Sequence, residues 1–380
     1  AVSPQSSVRN ESVKPAHGRV RALTADDIAA VAGLYERVVH SRIPGAVLRA
    51  RLSRLLLRHP WYDASLPSLV YENRDGVVGC LGVLPRPIIF DGQPVMAAVG
   101  HSFIVEPGSR STLAALELER RFFAGPQDLS MAEGNEASRA VWEKCGGFRS
   151  PMYGLSWVRP LKPSQYALTF LSRRGLPSMA VSTLRPLCRT MDNLARSIRR
   201  GPFHFPAPVL IGSALDSAAL HRAIADIVKN RVLRPHYDEQ VLAWLFAALS
   251  EKEEELGTLE RVLVRDANNE TVGWYVYFSK PGGVGTVVQL GAKERYAEDV
   301  LQHLFHHAAI RGVVAVSGQV DPALFHAYSR KHCMFHHDGR SWMLFHSRHE
   351  SLRQAIDRGQ AFITRLEGEW WVGALLSRSP

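Results

Sequence analysis

One stretch of the chain combines residues able to hold phosphate with one able to move a proton. Gly100 to Val105 reads as a strand whose β-branched and aromatic residues stop at the turn pair Pro107-Gly108. A helix follows from about Ser111, with Leu113, Leu116, Leu118 and Phe122/Phe123 recurring at helical spacing. Strand, tight turn and helix start direct several unpaired backbone amides, with the positive end of the helix dipole, toward one point. A phosphate or pyrophosphate can sit there. A second strand, Asp128 to Ala132, runs through Gly134-Asn135 into a helix, Glu136 to Lys144, closed by Gly146-Gly147. His101 stands on the first strand. An imidazole there can accept a proton near neutral pH, and strand alternation sets it on the same side as Phe103 and Val105. The same ring could equally be a core histidine bonded to backbone.

Val105-Glu106-Pro107 and then Arg110-Ser111-Thr112-Leu113-Ala114-Ala115 resemble the V-x-P and R-G-x-G-x-A segments of the GCN5-related N-acetyltransferase (GNAT) superfamily, with Ser111 and Leu113 replacing two glycines. Asn135, Ser138, Val141, Trp142, Glu143, Lys144, Gly147 and Phe148 follow the downstream pattern N-x-x-[AS]-x-x-x-Y-E-K-x-G-F, with one inserted glycine and Trp for Tyr. The resemblance covers about residues 20 to 160. It implies acetyl-CoA as co-substrate, with Phe103, Ile104 and Val105 flanking the pantetheine arm, Arg110 and the Ser111–Ala115 amides on the pyrophosphate, and Asn135 and Ser138 completing the site. It also implies His101 as the base that deprotonates a primary amine, while a backbone N–H of the splayed strand meets the thioester oxygen. The superfamily often uses as its acid the tyrosine whose place Trp142 takes, and an indole N–H cannot serve. Either the thiolate leaves unaided or the chain does not catalyse. The leading expectation is an N-acetyltransferase acting on a small amine, an amino sugar or its nucleotide-linked form. The rival is a non-catalytic GNAT-fold protein that senses CoA or docks on an anionic partner or membrane.

The surrounding elements must position this stretch. Residues 1–18, rich in Ser, Asn, Pro and Lys, read as a disordered tail. A first GNAT domain spans 19–160: a strand at Val20 to Leu23, helices from Thr24 to Val39 and from Val47 to Arg58, and two hairpins. The hairpins turn at Asn73-Arg74-Asp75-Gly76 and Asp91-Gly92, and the domain closes on a strand from Leu155 to Arg159. A basic connector, 161–205, follows. The stretch from Arg159 to Arg200 sets its arginines against the single acid Asp192 and suits short amphipathic helices, either packed between domains or facing anionic lipid or an acidic substrate. Residues 206–350 repeat the element order as a second, degenerate GNAT-like domain whose last strand is Trp342 to His346. Its turn Gly291-Ala292-Lys293-Glu294-Arg295 lacks a phosphate cradle. A C-terminal extension, 351–380, carries the cluster Glu369-Trp370-Trp371 and folds back onto one domain. The expected fold class is therefore α/β (α+β), with two mixed, mostly antiparallel sheets, each with a splayed central strand and flanking helices.

With 380 residues, 46% of them hydrophobic, the chain can bury a large core. The longest apolar runs fall short of the ~20 residues of a membrane span, and the N-terminus lacks a secretory apolar region, so the expectation is a cytoplasmic protein, peripheral to the membrane at most. Four scattered cysteines suit a reducing compartment. The net charge of +10 suits anionic partners. CoA phosphates and a membrane surface contacted by 159–200 are preferred over nucleic acid. His303, His306, His307, His332, His336 and His337 lack carboxylates at ligand spacing, so no metal is expected.

Overall fold

The computed structural model describes residues 18–108, 111–199, 201–337 and 341–376, without the side chains of Ser111 and Arg173. The tail expected at 1–18 falls almost wholly outside them. The chain begins with β1 (Arg19–Ala22), α1 (Ile28–Val39), α2 (Gly45–Leu57), β2 (Leu69–Asn73), β3 (Gly76–Phe90) and β4 (Gln93–Val105). Next come α3 (Ser111–Phe123), β5 (Leu129–Gly134), α4 (Glu136–Lys144), β6 (Phe148–Arg149) and β7 (Ser156–Pro160). The connector forms α5 (Pro163–Arg173) and α6 (Ser178–Ser197). The second half contains β8 (Ile211–Ala214), α7 (Ser217–Ile227), β9 (Leu233–Pro235), α8 (Glu239–Ser250), α9 (Glu253–Leu256), β10 (Thr258–Arg265), β11 (Thr271–Ser279), β12 (Val284–Ala292) and α10 (Ala297–Ile310). It ends with β13 (Ala315–Gln319), α11 (Phe325–Arg330), β14 (Met334–His336), β15 (Trp342–Ser347), α12 (Glu350–Asp357) and α13 (Trp370–Leu376).

Local chemistry explains the boundaries near the site. Thr24 and Asp27 form a capping box ahead of α1, and Arg21 grips both oxygens of Asp27 at 2.7 Å. Asn135 caps α4 by accepting from the Ser138 amide at 3.0 Å. Asp91 and Gly92, both at positive φ, make the tight turn between β3 and β4. Both expected hairpins form, but 77–84 and 87–90, expected as separate strands, are one continuous strand that includes Pro85 and Pro87, and cross-strand pairing with β4 carries on past them.

Two mixed sheets result. The first runs β1-β2-β3-β4-β5-β15-β6, with β9 also on β3; the second runs β14-β7-β13-β12-β11-β10-β8. Each half lends the other a strand, so domain boundaries at 160 and 350 do not separate the sheets. β7, expected to close the first sheet, pairs with β13 and β14 in the second, and β15, expected to close the second, lies between β5 and β6 in the first. Alternation identifies a strand without naming its partner, and a strand exchange leaves element order unchanged.

The C-terminal extension packs against both halves rather than one. Ile363, Leu366, Trp371, Val372 and Leu375 join a single core with α1, α2, α7, α8 and residues of both sheets. A buried polar chain accompanies it. Arg86 stacks 4.3 Å over Trp61 and donates to Tyr237 Oη and to the Leu366 carbonyl, while Tyr237 and Gln289 donate to Glu367 Oε1 at 2.7 and 2.8 Å. Every link joins segments far apart in sequence, so breaking one would leave buried polar groups unpaired.

Candidate active site

β4 and β5 run parallel and paired from Ala97 and Leu129 to Gly100 and Ala132, and the pairing then stops. At that point β4 carries a bulge. Cys80 faces Ile104 and Gly82 faces His101, so Ser102 and Phe103 together oppose Leu81, and Ser102 takes a φ of 49°. The extra residue reverses the alternation of side chains. Phe103 and Val105 face α3, while His101 lies with Val99 and Ile104 on the α1–α2 side. The expectation that His101 shares a side with Phe103 and Val105 is therefore corrected; period two holds only along an unbroken strand.

His101 is fully buried. Its Nδ1 lies 3.0 Å from Ser102 Oγ, its Nε2 has no partner, and its ring occupies the space a Cβ on Gly82 would need, 2.3 Å away. Burial, with a smaller contribution from His59, pushes its pKa down to about 3. A ring so placed is neutral at physiological pH and a weak base.

The gap between the strands holds another group. Glu369, at the start of α13, reaches in with its carboxylate, accepting from the Ser102 amide at 3.2 Å and the Glu133 amide at 3.0 Å. Glu133 in turn accepts from the Trp370 amide at 3.1 Å. Burial and then the neighbouring Glu133 charge raise the Glu369 pKa to about 8. Buried Glu119 of α3 is raised to about 8 as well, by burial and by Glu369. Sequence reasoning noted the Glu369-Trp370-Trp371 cluster and assigned it no role. An acid directly before two tryptophans, in a segment rich in large apolar residues, was the available signal of a buried carboxylate.

α3 begins at Ser111; Thr112 and Leu113 are exposed at its first turn, and Ala114 and Ala115 pack inward. Arg110 lies outside the described residues. The Asn135 side chain and the Ser138 amide are joined in the α4 cap, and Trp142 is buried against Phe123 with its indole N–H donated to the Phe345 carbonyl at 2.9 Å. A pocket of about 140 Å³ beside the gap is lined by Glu133, Trp370, Met343, Ser156, Gln319 and Arg365, among others.

Three histidines of the second half are hydrogen-bonded within the fold. His303 and His307 pair with the hydroxyls of Tyr275 and Tyr277 at 2.8 and 2.9 Å, and His306 with the Phe205 carbonyl at 3.0 Å. Among the described residues no helix is long and apolar enough to cross a membrane.

A mixed sheet that opens beside a bulge, next to the start of a helix, is the architecture of the GNAT fold, and comparison with solved structures agrees. The chain is similar to a conserved Enterococcus faecalis protein of unknown function described as a probable N-acyltransferase, with a TM-score of 0.54 and 10% identity over 87% of this chain and 72% of that one. A GCN5-related N-acetyltransferase from Anabaena variabilis gives 0.53 and 12% over 86% and 72%. Saccharomyces cerevisiae N-myristoyltransferase, solved with bound myristoyl-CoA and inhibitors, gives 0.50 and 9% over 89% and 82%. No protein-family profile matches the chain, and no curated protein matches it in sequence. The fold is that of GNAT acyltransferases, in a two-sheet form.

Proposed function

We propose that the chain transfers an acyl group, acetyl in the simplest case, from CoA to a small primary amine at the opening between β4 and β5. The observation that carries this reading is a pair of backbone N–H groups, from Ser102 and Glu133, that point into the gap and donate to the two different oxygens of the Glu369 carboxylate. Donors fixed on the backbone suit the oxygen of a thioester as it gains negative charge. The Glu369 carboxylate now on these donors must yield them to that oxygen. Displaced by a short movement, it becomes the proton acceptor, the role the sequence suggested for His101. The amine nitrogen attacks the carbonyl carbon, its proton passes to Glu369, and the C–S bond breaks to release CoA thiolate, which is reprotonated from solvent.

The pocket at Glu133 and Trp370 is the proposed amine entrance, and its polar lining from Ser156, Gln319 and Arg365 suits a hydroxylated acceptor such as an amino sugar or its nucleotide-linked form. The test is release of CoA thiol from acetyl-CoA across a panel of amines and amino sugars, with Glu369→Gln in parallel. Amine-dependent thiol release that the substitution abolishes supports the reading. A second reading, a non-catalytic CoA-binding protein, is favoured by the filled gap and by Trp142 in place of an acid. Acetyl-CoA binding without thiol release to any amine would select it.

A further inference from the structure

We infer that the α5–α6 hairpin is an amphipathic foot that seats the protein on an anionic membrane surface. The two helices pack chiefly on each other, and α6 is long, at 20 residues. Along it Leu184, Leu187, Met191, Leu194 and, at its end, Ile198 recur at alternating intervals of three and four, which places them in one stripe. That stripe faces away from the fold: Leu187 is 58%, Leu194 68% and Ile198 57% exposed, and Met179 at the first turn 81%. Phe170 and Leu171 on α5 are about half exposed as well. A helix packed into a domain would bury such side chains, and a solvated helix would not carry them in register.

Charge identifies the partner. Residues 163–199 contain six arginines and one acid, Asp192. That acid is buried, accepting from the Ser164 amide at 2.8 Å and from the amide and side chain of Gln165 at 3.1 and 3.0 Å, where it caps α5. The described outer surface of the hairpin thus presents cations without anions. Arg185, Arg189 and Arg196 lie on the face of α6 roughly opposite the apolar stripe, given ~3.6 residues per turn. An apolar face backed by an arginine face is the pattern of a helix lying in a bilayer interface, with aliphatic side chains at the acyl boundary and guanidinium groups reaching toward headgroup phosphates. A second copy of the hairpin fits less well. The residues bordering the stripe are Cys188, Thr190, Ala195 and Ser197, which offer no ion pairs to fix a partner helix, and its own arginines would add like charge.

The test uses the full chain and sedimentation with vesicles of phosphatidylcholine alone or with about 30% phosphatidylglycerol. The expected result is binding to the anionic vesicles, roughly tenfold or more weaker on neutral ones and weakened by salt. The pair Leu187→Glu and Leu194→Glu should abolish it, and the triple Arg185→Gln, Arg189→Gln, Arg196→Gln should reduce it to the neutral-vesicle level. These side chains are exposed, so both variants should keep the parent melting temperature, checked by circular dichroism. Absence of binding to either vesicle, or equal binding to both, would overturn the inference. So would a dimer in light scattering that the Leu→Glu pair dissolves while vesicles leave the protein unbound, since the occupant would then be a second copy.

Discussion

The two sheets open in the same way and are closed by different chemistry. β4 and β5 part beyond Gly100 and Ala132, and β12 and β13 part beyond Thr286 and Ser317. One C-terminal segment fills both gaps. In the second sheet, Ile363 and Thr364 line a residual cavity of about 10 Å³ together with Val287, Leu290, Tyr328 and the polar Gln289 and Asp321, and Arg365 donates to the Val287 carbonyl at 3.1 Å. In the first sheet, the filler is a carboxylate on two amides, beside a pocket of about 140 Å³. An apolar plug gains from staying buried. A buried carboxylate pays a desolvation cost that a neutral carbonyl oxygen on the same amides would avoid. The first gap is thus closed by an ionisable side chain and the second mainly by an apolar one, although both belong to the same stretch of chain.

The largest effect that would sharpen this contrast is on turnover. Glu369→Gln should lower kcat by roughly a hundredfold or more with little change in acyl-CoA affinity, the size of a lost general base. Tighter acyl-CoA binding with kcat retained would instead make the carboxylate a mere plug. The pH profile adds to this. The base must be ionised, so kcat should climb through about 8 and level off above it, given the raised Glu369 pKa. A base at His101, depressed to about 3, would give a rate already level at neutral pH. In the second gap, Ile363→Ala should cost about 2 to 5 kcal/mol in denaturant unfolding while the folded fraction keeps its kcat. An equal loss of kcat per folded molecule would show that the gaps are not separate. His101 gives a further test through stability. Its folded pKa lies below the ordinary 6.5, so its contribution is present above 6.5 and is lost as pH falls toward 3. His101→Asn should therefore flatten the acid slope of stability by on the order of 2 kcal/mol between pH 7 and 5. Smallest of all, Trp142→Phe should cost about 1 kcal/mol through the lost bond to the Phe345 carbonyl and leave kcat unchanged, as expected of a core residue in the place of a catalytic tyrosine.

The legible parts of the molecule were those decided locally. Val105, Pro107 and the periodic leucines of α3 mark a strand, a turn and a helix start, and Asn135 with Gly146 frames α4 from Glu136 to Lys144. The tandem order of elements was readable for the same reason. What stayed hidden depends on residues far away. The bulge at Ser102 has no marker, because serine at positive φ leaves the pattern of Gly100–Val105 unchanged, yet it carries His101 to the other side of the sheet. The exchange of β7 and β15 alters partners without altering either strand's composition. Glu369 was visible as an acid beside two tryptophans, but the amides of Ser102 and Glu133 that donate to it lie more than 200 residues away in sequence.

The central claim is that one gap accepts an acyl-CoA and the other does not, and calorimetric titration with acetyl-CoA tests it most directly. Thr112 is exposed at the first turn of α3, and Lys293, before α10, holds the corresponding place in the second half, paired with Asp226 at 3.2 Å. Thr112→Glu adds a negative charge where the phosphates are proposed to lie, without harming the helix start. The account predicts one acetyl-CoA per chain, weakened by roughly tenfold or more in Thr112→Glu and unaltered in Lys293→Glu. Two equivalent sites, or a single site weakened by Lys293→Glu and indifferent to Thr112→Glu, would contradict it.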